Sequence, residues 1–410
     1  MRVLLSTFGS RGDVEPFVGL AVALKALGAE AVVSAPGDDE FVALLARAGV
    51  EFSPAFMPVR HWIELARRSP MDIPGYGAKM IGAQYDAISA SAAGCDAVIA
   101  TGLMPSVGAA QCLAEKQGLH YEHVTFCPLF LPSHHHRPFP YPGEAAPPEV
   151  TDHRALWTHN IAAMNALFGS VINRQRTEIG LLPVATSATT CLPPTLCWRR
   201  TRSCGHGGKP TFANQSKRAH WILQDKRPLP NDLEAFLQAG TPPVYLGFGS
   251  IAVQEGEAIA AASIRAIRAN GRRAGLTRGW AGLTLEDNRD DCFLVGEVNQ
   301  QALFRRSAAV IHHGGAGTTT TAAMAGAPQV IVPQIVDQPY WAARVAQLGI
   351  GVAHEGPRPT FESLVAALSM ALATGMAERA EAVSRTLPTN GAMVAAQLLI
   401  EAIGRKRAPS

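Results

Sequence analysis

The sequence alternates short apolar runs with longer helical patterns, and it does so twice along the chain. In the first half, the apolar run at residues 3–5 precedes a glycine-rich turn and a helical pattern over residues 14–27. In the second half, the runs at residues 243–248 and 309–311 are each followed by a glycine turn and a helical pattern. Such alternation is typical of βαβ units with a parallel sheet. The sequence therefore predicts an α/β fold with two doubly wound, Rossmann-like domains.

The joint between the two domains is predicted near residues 220–240. A chain of 410 residues is long for one domain and fits two. We assign residues 1–220 to an N-terminal domain and residues 221–410 to a C-terminal domain. In doubly wound sheets, ligands bind outside the carboxyl ends of the strands. Two such domains facing each other predict a ligand in the cleft between them.

Residues 185–219 are atypical, because they show neither helical nor strand periodicity and are too many for a plain loop in a compact domain. They include six basic residues and no acidic one, so the formal net charge of +3 becomes −3 when these six charges are removed. The basic excess is therefore local. It predicts no general affinity for nucleic acid.

The rest of the composition indicates a globular protein in a reducing compartment. No stretch approaches the ~18 continuous apolar residues that a membrane helix needs. The first apolar run is too short for the core of a signal peptide. The seven cysteines show no paired framework. We therefore expect a cytoplasmic protein without membrane insertion.

The strongest local signal is HHGGAGT at residues 312–318, between a predicted strand and a predicted helix. Glycines let the backbone approach a ligand closely, and the N–H groups of a first helical turn favour an anion. His313 can add a side-chain N–H, and Thr318 can either cap the helix or donate its hydroxyl. The run predicts a pyrophosphate cradle with backbone positions at Gly315, Ala316 and Gly317. The alternative is a tight turn that binds nothing.

A second glycine turn, at residues 247–250, follows the strand predicted at the start of the second domain. Continued to Ala252, its spacing also fits the dinucleotide pattern G-x-G-x-x-A, which calls for an acidic residue about 20 positions further on. Residues 272–278 supply no acid. We therefore favour Ser250 as a phosphate contact, and an NAD(P)-dependent Rossmann oxidoreductase stays the alternative.

The first-domain turn at residues 9–13 has the same location after its strand. Asp13 can be the N-cap of a helix that begins at Val14. It can also be the base that takes a proton from an acceptor hydroxyl. Farther along, Asp337 and Gln338 follow another predicted strand, where an N-cap aspartate is again the alternative to a pair that hydrogen-bonds sugar hydroxyls.

No metal site is predicted. Adjacent histidines at residues 134–136 lie in a proline-rich loop, where they rarely point at one ion. The four residues Cys191, Cys197, Cys204 and His206 lack the C-x₂₋₄-C spacing of zinc sites.

Taken together, these motifs resemble the inverting family-1 glycosyltransferases of the two-domain GT-B fold. The chain is most similar to bacterial glycosyltransferases that decorate antibiotics of the glycopeptide type, and sterol glucosyltransferases share part of the pattern. The resemblance is absent from residues 185–219, which we hypothesise to be a replaced or reading-frame-shifted stretch. The segments that carry it are residues 2–5 (RVLL), 9–13 (GSRGD), 15–16, 242–250 (PPVYLGFGS), 279–283 (GWAGL), 296–299 (GEVN), 312–318, 325–329 (AGAPQ), 333–334, 337–340 (DQPY) and 344–354.

The resemblance implies a role for each matching position. Asp13 is implied as the general base, and the remaining positions are implied to contact the nucleotide-sugar donor. These are Ser10 and Arg11 on the turn near the diphosphate; Ser250, His313, Gly315 and Thr318 at the diphosphate; Trp280 and Val298 around the nucleotide base; and Asp337 and Gln338 at the sugar.

The implied activity is metal-independent, inverting transfer of a sugar from a dTDP- or UDP-sugar to a hydroxyl of an antibiotic or other natural-product aglycone. The donor is a substrate, and no cofactor is expected. Acceptor specificity is expected to lie in residues 55–85 and 126–170. We expect a monomer or weak dimer. A sterol or lipid glucosyltransferase, or a sugar-nucleotide-binding protein without catalysis, remain alternatives.

Overall fold

The structure is a computed structural model that describes residues 1–68, 72–130, 133, 136–141, 149–185, 221–251, 256–285, 287 and 289–407. All of the atypical segment except residue 185 lies outside these ranges. The hypothesis of a replaced or frame-shifted stretch therefore falls outside the described residues. So do Cys191, Cys197, Cys204, His206, His134, His135 and Ala252.

The chain divides into two compact units. The first contains Met1–Leu223 together with Thr389–Ser410, and the second contains Gln224–Pro388. The sequence predicted a boundary between residues 220 and 221 and assigned everything after it to the second domain. In the structure, the end of the chain belongs instead to the first unit.

The first unit is built on a five-stranded parallel sheet with the order β3-β2-β1-β4-β5. Helices follow the strands along the chain, as βαβ units require. Its elements are β1 (Arg2–Phe8), α1 (Arg11–Ala26), β2 (Glu30–Ala35), α2 (Asp39–Arg47), β3 (Glu51–Pro54), α3 (Val59–Arg68), α4 (Ile73–Ser91), β4 (Ala97–Gly102), α5 (Met104–Gln117), β5 (His120–His123) and α6 (His153–Glu178).

The second unit is built on a six-stranded parallel sheet with the order β11-β10-β9-β6-β7-β8. Its elements are α7 (Asn231–Gln238), β6 (Val244–Gly247), α8 (Gly256–Ala269), β7 (Ala274–Thr277), β8 (Cys292–Val295), α9 (Gln300–Phe304), β9 (Ala309–His312), α10 (Ala316–Ala325), β10 (Gln329–Ile331), α11 (Gln338–Leu348), β11 (Gly351–Ala353), α12 (Phe361–Ala371) and α13 (Thr374–Ser384).

The last helix, α14 (Gly391–Arg407), returns to the first unit and packs against α1. The helical periodicity of residues 378–403 predicts one continuous helix, whereas the structure has two helices here, α13 and α14. Pro388 lies between the two helices, and proline lacks the N–H that a helix interior needs.

The central strands read as continuous apolar runs because helices cover both faces of each sheet. Val3, Leu4 and Leu5 of β1 are fully buried, as are Val244 and Leu246 of β6. The two predicted doubly wound α/β sheets are therefore present. Among the described residues, no helix is both long and apolar enough to cross a membrane.

Each sheet has a point where the strand order reverses. In the first unit this point lies between β1 and β4, and in the second it lies between β6 and β9. The loops that leave neighbouring strands at such a point run in opposite directions and leave a crevice at the carboxyl ends, where ligands bind in this class of fold. The predicted turns at residues 9–13, 247–250 and 312–318 all lie at these two positions.

Candidate functional site

Three loops of the second unit meet at the carboxyl ends of β6, β7 and β9. The backbone N–H of Trp280 donates to the carbonyl of Gly249 over 3.0 Å. Gly249 has φ +59°, and a Cβ there would lie 3.0 Å from Cε1 of His313. Glycine therefore allows both the left-handed backbone and the close approach of the histidine ring. The structure thus brings the predicted turn at residues 247–250 against the predicted cradle.

A second glycine closes the cradle against the next strand. Gly314 has φ +91°, and a Cβ there would lie 2.6 Å from Cγ2 of Ile331 and 3.3 Å from the carbonyl oxygen of Gln338. A side chain at this position would have to displace β10 or the first turn of α11. The turn after β9 and the loop after β10 are consequently packed together.

The N-terminus of α10 supplies the backbone groups that the sequence predicted. Its N-cap is Gly315, whose side chain is absent and makes no capping bond. Thr319, not Thr318, donates its hydroxyl to the Gly315 carbonyl, over 2.9 Å. The N–H groups of Ala316, Gly317 and Thr318 therefore lack an intrahelical acceptor, and no other partner for them exists in the part of the chain that the structure describes. Thr318 is the third residue of the helix and does not cap it.

His312 holds the shape of the turn. Its Nδ1 accepts a hydrogen bond from the N–H of Gly314 over 3.1 Å, so its Nε2 carries the proton and faces Oε1 of Gln329 at 2.9 Å. Complete burial lowers the pKa of His312 to about 4. The ring is therefore neutral at neutral pH and has a structural role.

His313 is also buried but differs in its partners. Its Nδ1 is buried without a hydrogen-bond partner among the described residues, and a Cβ on Gly315 would overlap its Nε2. Burial, with a smaller contribution from His312, lowers its pKa to about 3. His313 is thus a neutral imidazole beside the N-cap of α10, able to donate one N–H but carrying no charge.

Asp337 occupies the N-cap position of α11, yet its side chain makes no capping bond. Its Oδ2 instead accepts a hydrogen bond from Nε1 of Trp341 over 2.8 Å. Desolvation raises the pKa of Asp337 to about 6, against the opposing effect of the Trp341 bond. The alternative to sugar binding was that this side chain caps the helix. Asp337 does occupy the N-cap position, but its carboxylate makes no capping bond.

Gln338 uses one end of its side chain to organise the loop before it. Its Oε1 accepts from the backbone N–H groups of Gln334 at 2.7 Å and Ile335 at 2.9 Å. Its Nε2 has no hydrogen bond within the described residues. Only this amide nitrogen is available to a ligand.

The other predicted donor positions of the second unit are partly exposed. Ser250 follows Gly249 directly, and Trp280 is tied to the same residue by its backbone. Val298 follows β8 and packs partly against a core cluster that includes Leu303 and Phe304. No group of three or more metal-ligating side chains is found among the described residues.

In the first unit, the turn after β1 is a capping box. Ser10 is the N-cap of α1, with its Oγ accepting from the N–H of Gly12 and its own N–H donating to Oδ2 of Asp13 over 3.0 Å. The helix therefore begins at Arg11, three residues earlier than the sequence suggested; Asp13 is not the N-cap, but its carboxylate does take part in capping as the N3 member of the box. Asp13 is instead the third helical residue, because Ser10 satisfies the first turn.

Asp13 and Arg11 both lie partly exposed at the carboxyl end of β1. A Cβ on Gly9 would overlap the Asp13 carboxylate, so the chain approaches this side chain as closely as glycine permits. The guanidinium Nε of Arg11 donates to Glu15 one turn later, over 2.7 Å. The carboxylate is therefore fixed in position at the switch point of the first sheet.

An aromatic cluster adjoins this turn, within the predicted acceptor region at residues 55–85. Trp62 of α3 lies 6.0 Å from the ring of Phe8, the last residue of β1, and 6.0 Å from Phe56. Tyr76 of α4 contacts Trp62 at 5.2 Å between centroids. Phe8 is fully buried, whereas the other three are partly exposed. The sequence carried no periodic signal for this grouping, because its members come from three separate elements and the loop between β3 and α3.

The chain matches one protein-family profile and is similar to known glycosyltransferases. The profile of the erythromycin biosynthesis protein CIII-like C-terminal domain matches residues 284–392. The chain is 50% identical to glycosyltransferase GtfE of Amycolatopsis orientalis, over 99% of both chains. It is 46% identical to the vancomycin aglycone glucosyltransferase of the same organism, again over 99% of both.

Among solved structures, the chain is similar to the glycosyltransferase SsfS6 of Streptomyces sp. SF2575, which was solved with thymidine diphosphate. The TM-score is 0.61 at 18% identity, covering 98% of this chain and 99% of that one. At this identity the likeness concerns the fold.

Proposed function

Since the chain belongs to the family of glycopeptide-antibiotic glycosyltransferases, we propose that it moves a sugar from a dTDP- or UDP-sugar to a hydroxyl of a glycopeptide-type aglycone, with inversion at the anomeric carbon. One observation carries most of this proposal. The loops after β6 and β9 meet at the switch point of the second sheet, where Gly249 packs against His313 and the tip of α10 leaves its first N–H groups unpaired.

The diphosphate of the donor is the ligand that this arrangement suits. Unpaired N–H groups at a helix tip and the positive end of its dipole attract an anion without needing a counter-cation. The positions that would contact the diphosphate are Ser250, His313, Gly315, Ala316, Gly317 and Thr318. As the glycosidic bond breaks, negative charge grows on the leaving diphosphate, and donors fixed in advance stabilise that charge most. His313 takes part as a neutral N–H donor, since burial keeps it uncharged.

The sugar is assigned to Asp337 and Gln338. Asp337 accepts hydrogen bonds from sugar hydroxyls through its carboxylate, and Gln338 donates through Nε2, since its Oε1 is occupied. Trp280 and Val298 are assigned to the nucleotide base. The thymidine diphosphate bound to SsfS6 supports a deoxythymidine nucleotide as the first donor to try.

Asp13 is assigned as the general base that takes the proton from the acceptor hydroxyl. The oxygen then attacks the anomeric carbon from the face opposite the diphosphate, which inverts the configuration. The partly exposed aromatic rings of Phe56, Trp62 and Tyr76 next to β1 supply an apolar surface for a ring-bearing acceptor. Ser10 and Arg11 lie on the same turn and are assigned to the approach of the diphosphate.

The test is a binding and turnover assay on the purified protein. Each nucleotide, dTDP, UDP or NAD, is added at saturation and the melting temperature is measured, because a ligand that binds the native state alone stabilises it. We expect a rise with dTDP or UDP and none with NAD. Mass spectrometry then follows sugar transfer from each donor to glycopeptide, sterol and lipid acceptors, with EDTA present, and proton NMR of the product gives its anomeric configuration.

The outcomes separate the alternatives. Stabilisation by NAD alone would favour the oxidoreductase, and transfer only to sterols or lipids would favour that acceptor class. Nucleotide binding with no transfer to any acceptor would indicate a binding protein. Loss of transfer in EDTA, or retention of configuration, would contradict the metal-independent inverting reaction.

A further inference from the structure

The loop before Asp337 contains a strained residue. Val336 has φ +57°, and among the described residues it alone of the non-glycines has a positive φ. A β-branched side chain is strongly disfavoured in this left-handed region. Such a conformation persists only where the surroundings hold it in place, and residues of this kind cluster at functional sites.

Two glutamine side chains hold the turn around Val336. Oε1 of Gln338 accepts from the N–H groups of Gln334 and Ile335, and the backbone N–H of Gln338 donates to the Ile335 carbonyl over 3.2 Å. Nε2 of Gln334 donates to the carbonyls of Val332 at 3.2 Å and Pro357 at 2.9 Å. Bonds from both sides therefore determine the backbone on which Val336 sits.

Packing does not explain why the strain is kept. The side chain of Ile335 leaves 54% of the residue surface exposed, and Val336 is 44% exposed. Burial of these two residues therefore contributes little free energy to offset the unfavourable backbone. The turn instead sets the direction in which the backbone enters Asp337. The carboxylate of Asp337 then accepts a hydrogen bond from Nε1 of Trp341.

We propose that Gln338 is a positioning residue, whose carbonyl oxygen holds the strained turn at Val336 and thereby fixes the Asp337 carboxylate for the sugar. This inference rests on the proposed function in assigning Asp337 and Nε2 of Gln338 to the sugar. The Nε2 group of Gln338 contacts the ligand, whereas its Oε1 acts through the backbone of residues 334–337.

Two variants separate the acceptor oxygen from the donor nitrogen of this side chain. Gln338→Glu keeps the acceptor oxygens and loses Nε2, and Gln338→Leu loses both. We expect kcat/KM for the donor to fall about tenfold in Gln338→Glu, since one hydrogen bond to the sugar is lost. In Gln338→Leu we expect a fall of about a thousandfold, with KM for the acceptor unchanged in both. Equal losses in the two variants would overturn the positioning role.

Rescue gives a second readout that a general structural role would not produce. Glycine adopts positive φ without strain. Val336→Gly therefore lets the turn form without the two hydrogen bonds that Oε1 of Gln338 accepts from Gln334 and Ile335. We expect the double variant Val336→Gly/Gln338→Leu to have a kcat/KM for the donor about tenfold above that of Gln338→Leu. Adding Val336→Gly to Gln338→Glu should leave kcat/KM unchanged. Failure to restore any activity in the Leu background would contradict the mechanism.

The strain itself is tested without any sugar transfer. At an ordinary φ, glycine lowers stability relative to alanine. At Val336 we expect the reverse, with Val336→Gly melting about 2–4 °C above Val336→Ala. A lower melting temperature for the glycine variant would show that the turn is not strained. If this order holds but no donor is ever used, the proposed function fails while the account of the turn stands.

Discussion

At the scale of single residues, the two carboxylates assigned to the reaction are held in different ways. The Asp13 carboxylate accepts a hydrogen bond from the backbone N–H of Ser10 in its capping box. It also lies against Gly9, where a Cβ would overlap it. Asp337 is desolvated, and one of its oxygens is held by an indole N–H. The first environment fixes the carboxylate that we propose as the general base, and the second leaves a carboxylate whose charge costs stability near neutral pH.

Replacing Asp13 tests the base directly. Asn at this position keeps an oxygen for the Ser10 N–H, but it cannot take a proton. We expect turnover to fall by about 10²–10⁴ with donor affinity little changed. The matched control is Asp96→Asn, since Asp96 likewise accepts a hydrogen bond from a backbone N–H, that of Arg2 over 2.9 Å, and has no assigned role. Turnover of Asp13→Asn within threefold of the parent protein would remove it from the mechanism.

Replacing Asp337 is expected to trade activity for stability. Because its folded-state pKa is raised from 3.8 to about 6, the folded protein binds the proton more tightly than the unfolded chain. This contribution to stability is fully present below pH 3.8 and is lost as the pH rises through about 6.

Asp337→Asn removes the charge and retains an acceptor for Trp341. We therefore expect Asp337→Asn to melt at a higher temperature than the parent protein, by a difference that grows from pH 5 to pH 7.5. Its kcat/KM for the donor should fall. Thermal unfolding at the two pH values measures the first effect. A difference in melting temperature that shrinks with increasing pH would contradict the raised pKa.

At the scale of elements, the strands and the loops after them could be predicted from the sequence because each depends on a property of a few neighbouring residues. The runs at residues 3–5 of β1 and 244–246 of β6 are apolar and buried, and the turns are marked by glycines at 249 and 314, where a Cβ would crowd a neighbouring side chain. The start of α1 was misread because Ser10 and Asp13 both suit a helix terminus, and only their mutual bonds decide which one caps it. The turn at Val336 gave no signal, since its strain is imposed by glutamine side chains whose partners the sequence does not reveal.

Filling the space beside Gly314 tests whether the cradle depends on this packing. A Cβ there would lie 2.6 Å from Ile331, at φ +91°. We expect Gly314→Ala to lower the free energy of unfolding by about 1–3 kcal/mol and to weaken dTDP binding at least tenfold.

Gly404→Ala is the control for that substitution, because its Cβ would meet nothing within 4 Å and it lies inside α14. Alanine there should stabilise the helix slightly and leave nucleotide affinity unchanged. Denaturant titration and calorimetry of dTDP binding provide the two measurements. Normal stability and binding in Gly314→Ala would show that the contact with β10 is not needed.

At the scale of the whole molecule, the chain leaves the first unit after Leu223 and returns to it at Thr389. Periodicity predicted the helices at the end of the chain, but it does not record which unit a helix packs against. For this reason the sequence assigned residues 389–410 to the second domain. The alternation of strands and helices, by contrast, gave the class of both sheets correctly.

The returning helix is expected to stabilise the first unit. Ile403 in α14 is 1% exposed, so Ile403→Ala leaves a cavity and should lower the free energy of unfolding by about 2–4 kcal/mol. Hydrogen exchange should locate the lost protection in α1 and β1, not in the second unit. Glu401→Ala, at an exposed position of the same helix, should change neither. Loss of protection confined to residues 224–388 would contradict this assignment.

The most direct test of the central claim is a crystal structure of the protein with dTDP. We expect the diphosphate oxygens within hydrogen-bond distance of the N–H groups of Ala316, Gly317 and Thr318 and of one ring nitrogen of His313. A diphosphate bound at any other place in the molecule, with the tip of α10 left without it, would contradict the account.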